Sequence, residues 1–521
     1  MNETTNNSQQ SAATLLSRGL LEFCHSESIS TEGLHELIER HGLTPNNHNH
    51  VSDYKFFHLA CINERATEEI IRCLLEYFPD AASTIDNGLS PLHLACYNHH
   101  VTGNIIRLLI DAAPASVRSV ANAGEMPLHI LCANKTVNEG TAIQILKLLI
   151  EKYPDAIRRE NNNGRLPVHS AAGRRSPEFC RVLIKAYPGS ERITTTNGLM
   201  PLHLACIKNS LATVEYLYRQ YTDAINHAAT GGLYPIHTAI LCTRKRDNPT
   251  AAVETVQYLL SCDPNVKLQT LQGKSLLYFA CGMKCNDSNI EVGIQIIKLI
   301  FDAHPQAIED NSIASNIHRF HQQVQAFING ELVYARQAKD HRLITTPDEN
   351  GQLPLHRALQ NNVRLGSIKL LVKGNPHALQ YPDGNGALPL LIACQHYDSA
   401  NVVRYFVGLD VTTLRAVDRE GNTALHHACR GAKYDTIALL LENYDAVSVS
   451  KRNSQKKLPI DLLWESNQIF DRESVEYMDS VFRLLKAYPE TLRNDGTEVE
   501  SAFDACPSQS GNGRKRKFGN D

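Results

Sequence analysis

The chain has 521 residues, with 52 basic against 55 acidic side chains, and a net charge of −3 that advertises no polyanionic partner. At 42% hydrophobic and 21% charged it is foldable. Single cores stop growing near ~250–300 residues, so a chain this long needs several domains or a repeat architecture. No apolar run approaches the ~20 residues that span a bilayer, and residues 1–10 lack the basic and apolar parts of a targeting segment. A soluble intracellular protein with its 14 cysteines reduced is therefore expected.

In chain order, residues 1–50 form a polar tail and a helical cap, the helical part falling at about 15–41. The string Gly88-Leu89-Ser90-Pro91-Leu92-His93-Leu94-Ala95-Cys96 then returns at 124–132, 164–172, 198–206, 232–240, 273–281, 351–359, 386–394 and 421–429. Degenerate copies at 56–61 and 458–463 flank these. The histidine position falls at 58, 93, 129, 169, 203, 237, 278, 356, 391, 426 and 461, mostly 34 to 41 residues apart. Such a period marks stacked supersecondary units.

Each part of the string has a mechanical role. Glycine supplies the positive φ of a hairpin tip, proline opens a first helix where its missing N–H is harmless, and leucine and alanine face inward. A second amphipathic stretch follows, such as 143–150, with apolar residues at i, i+3 and i+4. Prolines at 79, 114, 154, 188, 264, 305, 376 and 489 end it. Between positions 278 and 356 two periods pass without a second signature, although Ile317, Phe320, Val324, Phe327 and Ile328 are spaced like one buried helical face. The organisation expected is a first arm at 51–309, a degenerate repeat or helical insertion at 310–346, a second arm at 347–493, and a disordered tail at 494–521.

These residues resemble the ankyrin repeat, whose motif runs roughly Gly-x-Thr-Pro-Leu-His-x-Ala-Ala before a second helix. The resemblance covers about 54–493 and implies an all-α solenoid of 11–12 helix-loop-helix repeats. Two departures stand out. Leu166, Met200, Tyr234, Leu353 and Leu388 replace the motif threonine, and the second helix ends in sequences such as Tyr153-Pro154-Asp155-Ala156. The first puts one hydrogen bond of the family in question.

No residue set specifies a reaction, metal or cofactor. Five His-x-x-Cys pairs occur, but zinc needs its ligands within about 2.0–2.3 Å of one point while packed helices stand roughly 8–10 Å apart, so the cysteines are expected to pack and the histidines to bond across repeat joints. Gly273-Lys274-Ser275 resembles the end of a phosphate-binding loop, but position 268 is Leu268 and the triplet falls in the hairpin. Around the break in the pattern, His318, His321, Arg336 and Asp340 define no chemistry.

The resemblance implies a non-enzymatic scaffold or adaptor that binds a partner protein on a concave surface of hairpin tips and first helices. The variable positions of the family fall on Leu89, Tyr97, Asn98, Glu125, Arg165, Arg174, Leu199, Lys208, Gln352, Gln360, Gln395 and His396. Tyr97 and the cationic Arg165, Arg174 and Lys208 are the expected anchors, since aromatic and Arg side chains dominate interface energies. The run Arg514-Lys515-Arg516-Lys517 suits a nuclear import receptor and gives an alternative, a nuclear regulator whose repeats hold a transcription or chromatin partner. Neither a membrane nor nucleic acid is an expected partner.

Overall fold

First helices of only six to eight residues dominate the architecture. At 1.5 Å rise per residue they are about 10 Å long, well below what holds as an isolated helix in water, so each depends on its neighbours. The computed structural model describes residues 2–45, 51, 53–243, 249–283, 289–443, 449–466 and 474–487. It is an all-α repeat solenoid, with three isolated β-bridges at hairpin tips among the described residues.

The repeat built around His129 shows the construction. A tight turn at 121–125 places Gly124 at φ 74°, and Pro127 opens the first helix, Pro127–Ala133. Leu128, Leu131 and Cys132 are buried on one side of it. Asn138 caps the second helix, Glu139–Lys152, by accepting the Gly140 and Thr141 N–H groups. Ile145, Leu146 and Leu149 close the core from this helix. Tyr153 then leaves helical geometry, and Pro154 both ends the second helix and opens a 3-10 turn, Pro154–Arg158, that leads to the next hairpin. The same turn follows Pro79, Pro114, Pro305 and Pro376. After Pro188 it begins only at Ser190, because Gly189 intervenes at φ 93°.

Glycine at the hairpin answers two requirements at once. At Gly124 a Cβ would lie 2.3 Å from Asn162 Oδ1 and 2.7 Å from the Asn162 amide nitrogen; at Gly164 it would lie 2.7 Å from the Thr196 amide nitrogen. Gly273 has a similar φ but nothing within 4 Å of that position. Gly124→Ala and Gly164→Ala are expected to cost roughly 2–3 kcal/mol each, and Gly273→Ala about 1 kcal/mol. Denaturant midpoints of the three variants check the order.

Chain contacts divide the molecule into Met1–Ala326 and Phe327–Asp521. The first unit begins with helices Asn2–His25 and Thr31–Arg40. Leu16, Leu20 and Cys24 of the former are buried, and it packs on Lys55–Ile62. Seven helix pairs follow, from Lys55–Ile62 with Glu68–Tyr77 to Leu276–Cys281 with Ile290–Ala303. Among its described residues the second unit holds four pairs, from Pro354–Gln360 with Leu365–Gly374 to Pro459–Ser466 with Val475–Ala487.

The division falls inside 310–346, where the signature fails. The stretch 315–339 is not one helix as its spacing suggests: Asn311–Asn316 and a 3-10 turn at Ile317–Arg319 precede extended Phe320, and a new helix, Gln322–Lys339, starts beyond it. Phe320, Val324 and Ile328 are buried, as their spacing requires. Asn311–Asn316 packs on Leu276–Cys281 as a first helix does. Glu331 accepts a hydrogen bond from Ser367 on the next second helix, 36 residues on. Both contacts have the layering of a repeat whose signature is lost.

Candidate partner-binding surface

The signature histidines define one edge of the joints at His93, His129, His169, His203, His356 and His426. The Met126 N–H donates to His129 Nδ1 at 3.2 Å, so Nδ1 is the lone-pair nitrogen and Nε2 carries the proton. Nε2 then donates to the Arg165 carbonyl of the next repeat at 3.0 Å. His93, His169, His203, His356 and His426 place Nε2 on carbonyls 24 to 32 residues ahead. Where serine or threonine survives, at Ser90 and Thr423, its hydroxyl lies 2.8 Å from Nδ1. Elsewhere the backbone N–H of Met126, Leu166, Met200 or Leu353 holds the ring alone. At these four positions the joint is made without the motif threonine. Burial pushes His129, His169, His203 and His237 down to about 4, which keeps the neutral, single-donor form this geometry needs.

Within the first unit the series ends at His237, whose Nε2 has no hydrogen-bond partner and whose ring meets the edge of Phe279 at 5.6 Å. One repeat later Tyr278 takes the histidine position, and Asp310 accepts both the N–H and hydroxyl of Ser275 across the joint. Gly273-Lys274-Ser275 is thereby committed to a hairpin, bridged from Leu271 to Lys274, and to a helix cap in which Ser275 Oγ accepts the Tyr278 N–H. It forms no phosphate cradle.

A second set of rungs joins the loops beyond the first helices. Nδ2 of Asn63 donates to the Cys24 and Ser26 carbonyls, that of Asn98 to Cys61 and Asn63, that of Asn134 to Cys96 and Tyr97, and that of Asn209 to Ala172 and Arg175, all at 2.7–3.1 Å. Arg175 fills the rung between Asn134 and Asn209. Its side chain is 1% exposed; it donates to the Leu131 and Val137 carbonyls at 2.9 and 3.2 Å and pairs with Glu139 at 3.3 Å, while the guanidinium lies 4.9 Å from the Phe179 ring centre.

These rungs correct one of the expected contact residues. Asn98 is 5% exposed and its amide is spent on the preceding repeat, so it holds the loop and is not on the surface. Tyr97, 56% exposed, Arg174, Lys208 and Gln360 do lie at the surface. Leu89, Glu125, Arg165, Leu199, Gln352, Gln395 and His396 are half-buried. The backbone carbonyls of Leu89, Glu125 and Arg165 receive the histidine donors, and the Glu125 carboxylate accepts from the Asn161 amide at 3.5 Å. Arg514, Lys515, Arg516 and Lys517, with the rest of 494–521, lie outside the described residues.

The cysteines of the five His-x-x-Cys pairs, Cys61, Cys96, Cys132, Cys206 and Cys429, are buried in the repeat cores, where desolvation drives the Cys61, Cys96, Cys132 and Cys429 thiols strongly up. Among the described residues no group of three or more His, Cys, Asp or Glu side chains is placed to hold a metal ion, and no helix is long and apolar enough to cross a membrane. Near the break, Asp340 is occupied as an N-cap, accepting the Arg342 and Leu343 N–H groups.

In the second unit the same face is charge-compensated. His427, buried, sits between Asp418 Oδ2 and Gln395 Oε1, each at 3.0 Å. Burial opposes ionisation of Asp418, but hydrogen bonds from His427 and Asn422 outweigh it and hold the carboxyl down to about 2. Arg357 pairs with Asp348, Arg430 with Glu420 and Lys433 with Asp398.

A family model described as ankyrin repeats in three copies matches residues 57–155, 128–228 and 355–453, more than half of the chain. No curated protein matches it.

Proposed function

The chain belongs to the ankyrin-repeat family, and from that premise we propose that it is a non-enzymatic intracellular adaptor holding a partner protein on the exposed face of its first helices and hairpin tips. Ankyrin repeats generally mediate protein–protein interaction. The observation that supports this face as the site is the double row of joint hydrogen bonds. Histidine Nε2 at one edge and asparagine or Arg175 at the other fix the first helices that begin at Pro91, Pro127, Pro167 and Pro201 to their neighbours, so the side chains between the rows are presented without further ordering cost on binding. Both ring nitrogens of His93, His129, His169, His203, His356 and His426 are engaged in the joints.

Affinity capture from native lysate, with full-length protein beside a chain truncated after residue 493, tests the proposal. One specific protein recovered by both is the expected result. Import receptors recovered by the full-length chain alone would support the nuclear alternative carried by Arg514–Lys517. Recovery of no specific protein by either would defeat the adaptor proposal.

A further inference from the structure

The last described helix, Val475–Ala487, packs on the second helix before it, Tyr434–Asn443, and buries Val481, Leu484 and Leu485. A separate stripe of the same helix is apolar and turned outward. Val475, Met478 and Phe482 stand at i, i+3 and i+7 along it, with Val475 79% and Phe482 59% exposed and Met478 half-buried. Phe482 also breaks the habit of its repeat position. Seven residues before the helix-ending prolines 79, 114, 154, 188, 305 and 376 stand Arg72, Arg107, Lys147, Arg181, Lys298 and Lys369; Phe482 holds that place before Pro489. At two joints this position lies against the following second helix. Arg181 sits over Tyr216 of Leu211–Gln220 at 5.6 Å, and Lys369 over Tyr405 of Asn401–Leu409 at 5.7 Å. A large ring in place of a cation, on the side that meets the next layer, marks a face built to be covered.

The sequence beyond this helix, which lies outside the described residues, carries a matching element. Val499, Ala502, Phe503 and Cys506 recur at i, i+3, i+4 and i+7. Thr497 with Glu500 three residues on reads as a capping box, acids at 498 and 500 suit a first turn, and Pro507 follows as a stop. The apolar stripes match in length, seven residues or about 10 Å from Val499 to Cys506 and from Val475 to Phe482. The intervening residues 488–497 can span roughly 30 Å extended, while the 13-residue helix is about 20 Å long. The chain can therefore turn back along it. Antiparallel placement brings Glu498 and Glu500 to the end that carries the exposed Lys486.

We infer that residues 498–506 form a helix that docks on the Val475, Met478 and Phe482 face and closes the second unit, with Phe503 packed against Phe482. This is independent of which partner the first-helix face holds. It also bears on the basic run, because Arg514 follows Cys506 by eight residues. The run is then tethered at the end of the repeats, within about 30 Å of the docked helix.

Hydrogen exchange read by mass spectrometry on full-length protein tests it, with Phe482→Asp and Phe503→Asp variants alongside. Amides of 498–506 in the native chain are expected to exchange at least about tenfold more slowly than in the free peptide of that sequence. Either substitution is expected to abolish that protection and to speed exchange in Val475–Ala487. Phe482 is exposed, and unchanged protection at Ala424–Arg430 confirms that each variant keeps its fold. Free exchange of 498–506 in the native chain would overturn the inference. So would protection that survives Phe482→Asp, since the segment would then lie on another surface. Protection of Val475–Ala487 that rises with protein concentration and ignores Phe503→Asp would also overturn it, and would put a second copy of the chain on this face.

Discussion

Arg175→Ala is expected to lower the stability of the first unit by roughly 3–5 kcal/mol, the largest loss of any single polar substitution in this chain. Three losses combine. The Leu131 and Val137 carbonyls lose donors in a buried setting, at about 1–3 kcal/mol for each orphaned group. A fully buried side chain packed over Phe179 leaves a cavity. Glu139, still bound to Ser176, loses its cation. Lysine is expected to recover only part of the loss, because a point charge cannot serve two carbonyls and a carboxylate as a fork does. Glu139→Gln is expected to cost about 1 kcal/mol, its side chain being 39% exposed. Circular-dichroism midpoints in urea give the energies. Hydrogen exchange at Pro127–Ala133 and Pro167–Ala172 locates the loosened joint. An Arg175→Ala midpoint equal to that of Glu139→Gln would mean that the carbonyl contacts contribute nothing.

Mild acid is expected to loosen the same unit. His129, His169 and His203 fall to about 4 in the folded chain because burial penalises the imidazolium, against an ordinary 6.5. Above pH 6.5 these rings are neutral folded or unfolded, and their contribution is fully present. Between 6.5 and 4 the unfolded chain binds protons that the folded chain does not, so stability falls with falling pH. A shift of this size amounts to about 3 kcal/mol per ring once the pH is below 4. Most carboxylates titrate below pH 5, so a fall in the urea midpoint between pH 6.5 and 5 isolates the histidines. A midpoint constant from pH 7.5 to 5 would contradict their assignment as neutral donors across the joints.

How much of this was legible in the sequence depends on how rigidly a feature is tied to the repeat. The Gly, Pro and His of the signature stand at fixed offsets, because hairpin, helix start and joint are one mechanical piece, and they disclosed the solenoid and the histidine joints. The second row of rungs lies five residues beyond the histidine at Asn63, Asn98 and Asn134, but six beyond it at Arg175 and Asn209. That change of offset hid the row. It also put Asn98 among the surface residues, although the recurrence of asparagine at 63, 98, 134 and 209 was a usable signal. Of the adjacent Arg174 and Arg175, nothing local to the chain says which is buried. The choice is made by the Leu131 and Val137 carbonyls, about 40 residues away. Between 310 and 346 no Gly-Pro-His string survives, yet the packing of a repeat does, since burial of Phe320, Val324 and Ile328 needs only the apolar spacing.

Site-specific photo-cross-linking tests the central claim most directly. Benzoylphenylalanine is placed in turn at Tyr97 and Lys208 on the first-helix face, and at Lys185 on the second helix Pro177–Ala186, all three exposed. Cross-linking of one partner protein from positions 97 and 208, with none from 185, is the expected result. A cross-link from position 185 with silence at 97 and 208 would place binding on the opposite side of the repeats and contradict the account.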